Sequence, residues 1–304
     1  MLRRRRCGFS LIELAVVLAI VGVLGGSIGV LLVRQQRFYR GTSELIVTRQ
    51  SVRDAVEVLT TDIRGMSVSD TARLLADSAF EFFSPIGSSI VCQTLGNSGV
   101  GLPPPTGGGM LTSFATQPDT GDLAAFYVDS GPAESRWHRY RIAALSTRAL
   151  STACPPSSGF ARDADLVSGA KAFALSLNDS LSAGIHPGSP VRFVRRGRYS
   201  LYRASDGDWY LGYRRCNAIG PSVCGSVQPL SGPYQPYSRN VDQSGLVFEY
   251  FDRAGAPLLD SPLSLARVDL IARAASRHSL LIEGLSWLPS DSAHVSIAVR
   301  NRLR

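Results

Sequence analysis

Residues 3–33 read RRRRCGFSLIELAVVLAIVGVLGGSIGVLLV. Four arginines, Arg3 to Arg6, lead to Gly8, and an apolar run of 25 residues then extends from Phe9 to Val33 with one charge, Glu13. A helix of this length reaches roughly 37 Å, which exceeds the hydrocarbon core of a bilayer at about 30 Å. The arginines favour the cytoplasmic side, so the run predicts a single membrane span with the rest of the chain across the membrane.

Glu13 is the unexpected residue of this run. A carboxylate in a membrane helix costs about 2.5–3.5 kcal/mol on insertion scales, so it requires a partner and usually has a function. A cleaved secretory signal has a shorter apolar core followed by a small-residue cleavage site, and neither is seen here. An ordinary signal anchor, in which Glu13 is incidental, is the remaining alternative.

The junction Gly8-Phe9-Ser10-Leu11-Ile12-Glu13 resembles the N-terminal motif of the type IV pilin and pseudopilin superfamily. The resemblance implies that prepilin peptidase cuts between Gly8 and Phe9 and methylates the new amine of Phe9. It also implies that Glu13 docks subunits by neutralising the N-terminal amine of a neighbour in a helical filament. The implied partners are other pilins and minor pilins, prepilin peptidase and an inner-membrane assembly platform, with the energy supplied by a separate ATPase.

Charge and cysteine content limit the interpretation of the remainder of the chain. The formal charge is +8, and removal of Arg3 to Arg6 with the leader brings it to about +4. Four cysteines follow the span, which suggests two disulfides outside the cytoplasm. Three pairings are open, and we favour Cys216–Cys224, which closes a short loop, with Cys92–Cys154, which joins two loop insertions.

The apolar helix is expected to continue beyond the membrane. Residues 34–66 contain no proline, and their apolar residues recur at helical spacing, which predicts a stripe facing a globular head. The stripe consists of Phe38, Leu45, Val52, Val56, Leu59, Ile63 and Met66. Gly22, Gly25, Gly26 and Gly29 favour close helix contact or local melting within the span.

From residue 67 the pattern becomes strand-like. Eight strands are predicted, at 122–128, 138–144, 172–177, 190–203, 209–213, 245–251, 267–274 and 295–299. Asp206-Gly207-Asp208 is a hairpin turn signal, while Gly99 to Gly109 is expected to be a loop or disordered. The expected fold class is α+β, with a long N-terminal helix packed on an antiparallel sheet. The expected divisions are a cleaved leader (1–8), a span or filament core (9–33), an amphipathic continuation (34–66) and an extracytoplasmic head (67–304).

Weaker matches concern the subgroup. Residues 34–40 and 52–64, and the strand Gly245 to Asp252, resemble PilW-type minor pilins and J-type minor pseudopilins. The implied function is a structural subunit that primes or joins a type IV pilus. The alternatives are a minor pseudopilin of a type II secretion system and a filament-tip adhesin or DNA-uptake subunit.

Catalytic and metal-binding motifs are not found in the sequence. It has neither a phosphate-binding G-x-x-x-x-G-K-[ST] loop nor a G-x-S-x-G elbow, and its four histidines lack metal-ligand spacing. We therefore expect no enzymatic activity and no cofactor. Seven arginines between 192 and 215, interleaved with aromatic residues, have the composition of a single-strand nucleic-acid face. Alternate residues of a strand point to opposite faces, so we favour the interpretation in which the arginines form a solvated face and the aromatic residues form the core.

Overall fold

The computed structural model describes residues 10–66, 73–105, 111–128, 136–258, 262–276, 279–282 and 285–299. One helix, α1 (Leu11–Gly65), occupies most of the first segment, and an antiparallel sheet dominates the others. This is the α+β architecture expected from the sequence.

Helix α1 is continuous over 55 residues, a length of roughly 82 Å. Its first part is uncovered by the head, and its second part buries a stripe against the sheet. The buried residues are Gly41, Thr48, Ser51, Val52, Ala55, Leu59 and Ile63. Backbone hydrogen bonding continues through Gly22 to Gly29 in this structure, so the local melting considered from the sequence is not seen.

The predicted stripe is wrong at its membrane end. The Phe38 side chain is 72% exposed, because contact with the head begins only at Gly41. The true stripe includes the small residues Gly41, Ser51 and Ala55, which an apolar count overlooks.

Sixteen strands are present in the described residues. They are β1 Leu74–Ala76, β2 Ala79–Ile90, β3 Gln93–Thr94, β4 Gly99–Leu102, β5 Ser113–Phe114, β6 Leu123–Val128, β7 Arg136–Ala149, β8 Lys171–Leu177, β9 Pro190–Arg203, β10 Trp209–Arg215, β11 Gln228–Tyr234, β12 Leu246–Phe251, β13 Arg267–Ala275, β14 Leu280–Ile282, β15 Leu285–Trp287 and β16 Ser290–Ala298. The short helices are α2 Leu150–Ala153 and α3 Asp163–Val167, and three 3₁₀ turns are Pro156–Ser158, Val241–Gln243 and Pro262–Ser264.

Strand β9 links two lobes of one sheet. The strand order is β12-β13-β11-β10-β9-β6-β7-β8-β4-β3, with β2 paired to β9 and β16 to β13. In the first lobe, α1 packs against an aromatic and aliphatic core that includes Phe80, Phe82, Leu211 and Leu270. A second core, around Phe126, Ile142 and Phe193, lies between β6, β7, β8 and β9 and lacks α1 residues.

The eight predicted strands are all present, although β7 and β16 are longer than expected. The hairpin between β9 and β10 turns at Asp206 to Asp208, where Gly207 has a positive φ of 90° that favours glycine. Two long strands, β2 and β11, were missed. The loop expected from Gly99 to Gly109 is wrong at its start, because Gly99 to Leu102 form β4, which pairs with β8 and is buried.

The four cysteines form two disulfides, Cys92–Cys154 and Cys216–Cys224. These are the pairings favoured from the sequence. The first joins the end of β2 to the α2 turn within the second lobe, where both cysteines are buried. The second closes a loop of the first lobe directly after β10.

Candidate functional site

The N-terminal end of α1 is organised by Ser10. Its side chain accepts a hydrogen bond from the Glu13 backbone N–H at 3.2 Å, and its carbonyl accepts from the Leu14 N–H at 3.1 Å. Ser10 is therefore the N-cap, and Glu13 lies in the first turn, where a carboxylate complements the helix dipole. Gly8 and Phe9, the predicted cleavage and methylation residues, lie outside the described residues.

The first half of α1 presents apolar side chains all around its circumference. Residues 11–33 are exposed, with Leu11 at 88% and Val23 at 70%. The most apolar window of α1 has a mean hydropathy of 2.7 and no part of it is buried in the protein. Length and composition are those of a membrane span, and Glu13 is the only charged residue between Ser10 and Val33.

The second half of α1 is fastened to the head by polar contacts as well as by its stripe. The Ser51 hydroxyl donates to the Gly232 carbonyl at 2.7 Å, and the Tyr234 hydroxyl donates to the Ser51 carbonyl at 2.5 Å. The Tyr199 hydroxyl donates to the Asp62 carboxylate. Burial raises the pKa of Asp62 above its usual value, while the bond from Tyr199 acts in the opposite direction. The second half of α1 therefore shares both a core and polar contacts with the head.

The arginine cluster of β9 and β10 is engaged with carboxylates. Asp122, almost fully buried, accepts from Arg195 at 2.7 Å and from Arg215 at 2.9 Å. Arg215 also contacts the exposed Asp119 at 3.1 Å. The Arg192 guanidinium lies over the Trp137 ring, 4.7 Å from its centroid. These contacts favour the structural interpretation of the cluster over a nucleic-acid face.

Glu81 is an enclosed carboxylate of the head. Its side chain has no exposed area and accepts from Arg196 at 2.6 Å, from Arg198 at 2.7 Å and from the Ser222 hydroxyl at 2.7 Å. Burial alone raises the pKa of Glu81, but the bonds from Ser222, Arg198 and Arg196 outweigh it and the net pKa is lowered. Arg196 also donates to the carbonyls of Asn217 and Gly220. The ion cluster therefore holds the Cys216–Cys224 loop against the sheet.

The remaining candidate ligand sets have ordinary structural roles. Glu81 lies close to Cys216 and Cys224, but those sulfurs are joined in a disulfide and the carboxylate is taken up by arginines. Asp206 accepts from the Asp208 backbone within the hairpin turn, and Asp165 accepts from the Arg162 backbone at the start of α3. His138, His186 and His294 lie on separate elements, and His278 lies outside the described residues.

Sequence reasoning missed Glu81 and Asp122. The signal for Glu81 was its place within Ala79-Phe-Glu-Phe-Phe, where apolar neighbours on both sides indicate a strand with one inward carboxylate. Its partners come from β9, more than a hundred residues later, so the pairing itself leaves no local pattern.

Comparison with known proteins is informative for the N-terminus. Residues 3–29 match the family model of the prokaryotic N-terminal methylation motif. No curated protein and no solved structure matches the chain. The matched segment contains Gly8, Phe9 and Glu13 and includes most of the exposed apolar half of α1, which is followed by an antiparallel head. The methylation motif, together with the long apolar helix and the antiparallel head, supports a type IV pilin-like protein.

Proposed function

We propose that the chain is a minor pilin-like structural subunit that primes or joins a type IV pilus. Prepilin peptidase removes residues 1–8 and methylates Phe9. Before assembly, the mature protein is anchored in the inner membrane with its head in the periplasm. An assembly platform then transfers it into a filament with other pilins.

The observation that supports this proposal most strongly is that α1 has an uncovered apolar half and a half that is packed on the head. The methylation motif begins a helix whose residues 11–33 are apolar and uncovered, while residues 41–66 are fastened to the head. The first half of such a helix is available to the membrane or to neighbouring helices, and the second half is packed on the head. Glu13, placed in the first turn of the uncovered half, is suited to pair with the amine of an adjacent subunit in a low-dielectric setting.

The size of the head supports a minor position. Packed helices lie about 8–10 Å apart, whereas the head combines two lobes in one sheet of fourteen strands, each about 4.8 Å from the next. Heads of this bulk are accommodated more easily at a filament end than along a shaft. We infer a structural and not a catalytic role, because the buried carboxylates Glu81 and Asp122 are committed to arginines.

A minor pseudopilin of a type II secretion system is the alternative with the same processing and the same helix. Cross-linking of the chain in its native membrane, followed by identification of the attached subunits, distinguishes the two systems. Pilus subunits as neighbours support our proposal, and pseudopilins as neighbours replace it.

Processing is tested by mass spectrometry of the protein expressed with and without prepilin peptidase. We expect a mature chain that begins at Phe9 and carries one methyl group, and an intact leader without the enzyme. A Gly8→Val protein is the matched control and should stay uncut, because a branched side chain occupies the junction. A mature start near residue 30 in the presence of the peptidase would refute the proposal.

A further inference from the structure

The helix leaves the apolar run at Val33 and meets the head only at Gly41. The intervening residues 34–40, here termed the collar, are all exposed, with Phe38 at 72% and Tyr39 at 70%. The collar also contains Arg34, Arg37 and Arg40, and no acidic residue occurs between Glu13 and Glu44. Arginine together with amphipathic aromatic rings is the composition found at the boundary between membrane and water.

The collar surrounds the helix instead of lining one face. Successive residues are separated by about 100°, so the three arginines cover one side while Phe38 and Tyr39 turn towards the other. A single protein partner would contact one face, whereas a layer of headgroups contacts the whole circumference. The arrangement therefore suits lipid.

A second apolar element lies at the same end of the head. Strands β14 and β15 form a separate two-stranded hairpin, in which Leu280 is opposite Trp287 and Ile282 is opposite Leu285. We term it the base hairpin and include Leu288. Trp287 and Leu288 are 44% and 47% exposed. From Ser279 to Leu288 the sequence has six large apolar residues and one charge, Glu283.

Contacts with α1 show which end of the head carries the base hairpin. Ala274 of β13 is paired with Tyr234, whose hydroxyl bonds to the Ser51 carbonyl. Two residues later, the Ser276 hydroxyl donates to the Glu44 carboxylate at 2.7 Å. Strand β13 therefore runs towards the membrane end of α1, and the base hairpin begins where β13 ends.

The distances match. Glu44 lies eleven residues beyond Val33, which is about 16 Å along the helix. The Ser276 N–H donates to the Pro289 carbonyl at 2.8 Å, and Trp287 lies two residues before Pro289, which is at most about 7 Å. Trp287 therefore lies near the level of Glu44, which is about 6 Å along the helix from Arg40 of the collar.

We propose that the collar and the base hairpin together bind the extracytoplasmic lipid interface, with anionic phospholipid headgroups held by the collar arginines. The inference rests on the membrane span in the proposed function and adds a second contact made by the head. The head is then held at the bilayer surface before assembly, and entry into a filament requires release of this contact as well as withdrawal of α1. The uncleaved leader places arginines at both ends of the span, whereas the mature chain retains them only at the collar.

The test uses the tryptophans of the full-length processed protein in vesicles. The span contains no tryptophan, and the chain has three, Trp137, Trp209 and Trp287. A protein that keeps only Trp287 should lose emission about twofold in vesicles whose lipids carry bromine near the top of the acyl chain, because interfacial tryptophan lies at that depth. The control keeps only Trp137, which is on β7 in the second lobe, and should be unaffected.

A second pair of variants tests the collar. With Trp287 alone retained, quenching should be stronger in phosphatidylglycerol than in phosphatidylcholine vesicles. The Arg34→Gln, Arg37→Gln, Arg40→Gln protein should lose this difference. The Arg49→Gln, Arg53→Gln protein, which changes exposed arginines farther along the same helix, should keep it.

Extraction with alkaline carbonate distinguishes a failure of the proposed lipid contact from a failure of the membrane anchor. If the chain resists extraction but Trp287 is not quenched, the lipid contact is refuted while the anchor stands. If the chain is extracted, the anchor and the lipid contact both fail. If Trp287 is not quenched and a Trp287→Ser protein disappears from sheared filaments, the base hairpin binds another subunit instead of lipid.

Discussion

At the scale of single residues, Glu13 is the one charge in the uncovered half of α1. Replacement by valine removes a costly carboxylate from the span, so membrane insertion should become easier and cleavage after Gly8 should persist. Recovery in sheared filaments relative to the membrane fraction should fall by more than about tenfold, because a neighbouring amine loses its counter-charge. Glu57→Val, at an exposed position of the same helix, should be recovered like the native protein. Native-like recovery of Glu13→Val would show that Glu13 is not a docking residue.

Glu81 is the residue whose charge matters most inside the head. Glu81→Gln leaves Arg196 buried without its counter-ion, so unfolding in detergent should require about 3–5 kcal/mol less free energy at neutral pH. Because the pKa of Glu81 is lowered in the folded protein, its stabilising contribution is present above the ordinary carboxyl pKa and is lost as pH falls through the folded value. The difference between the two proteins should therefore shrink in acid. A difference that is independent of pH would mean that the substitution acts through the shape of the side chain and not through its charge.

At the scale of elements, the register of α1 on the head decides which helix residues stabilise the fold. Leu59 is fully buried, so Leu59→Ala should cost about 2–5 kcal/mol of unfolding free energy. Phe38→Ala should change it by less than about 0.5 kcal/mol, because Phe38 lies outside the contact with the head. Denaturant titration of both proteins provides the measurement. Equal losses of unfolding free energy would instead support the stripe predicted from the sequence, in which both residues face the head.

The two ends of α1 also show what a sequence can and cannot predict. Apolar spacing identified Val52, Leu59, Ile63 and Met66 correctly, since a helix displays its period directly. It failed at Phe38, because where the head ends along the helix depends on the fold of distant strands. Strand β2 was missed because residues 80–84 are all buried, so its first half shows no alternation of apolar and polar residues. Strand β11 was missed because it contains two prolines and a glycine, which suggested a loop.

At the scale of the whole molecule, the pairing of strands that are distant in sequence was the feature of the fold that could not be predicted. The hairpin of β9 and β10 is local and was predicted, whereas the contact of β2 with β9 joins residues more than a hundred positions apart. The N-terminal motif could be recognised because its residues are consecutive. The carboxylates that neutralise the arginine cluster could not, because Glu81 lies on β2 and Asp122 lies directly before β6, both far from the arginines in sequence.

That neutralisation leads to a prediction about nucleic acid. Within the arginine cluster, Arg195 and Arg215 form ion pairs with Asp122. Arg196 and Arg198 form ion pairs with Glu81. Arg203 donates a hydrogen bond to the Gly207 carbonyl. Few guanidinium groups are left for phosphates, and the aromatic residues Phe193 and Tyr199 are buried in the two cores, where bases cannot stack on them. In fluorescence anisotropy with labelled single-stranded DNA at physiological salt, we expect no binding tighter than about 10⁻⁶ M, the range of non-specific contacts. Arg192→Ala should leave this weak binding nearly unchanged, because the Arg192 guanidinium already lies over Trp137. Submicromolar binding that Arg192→Ala abolishes would reverse the argument and favour a subunit for DNA uptake.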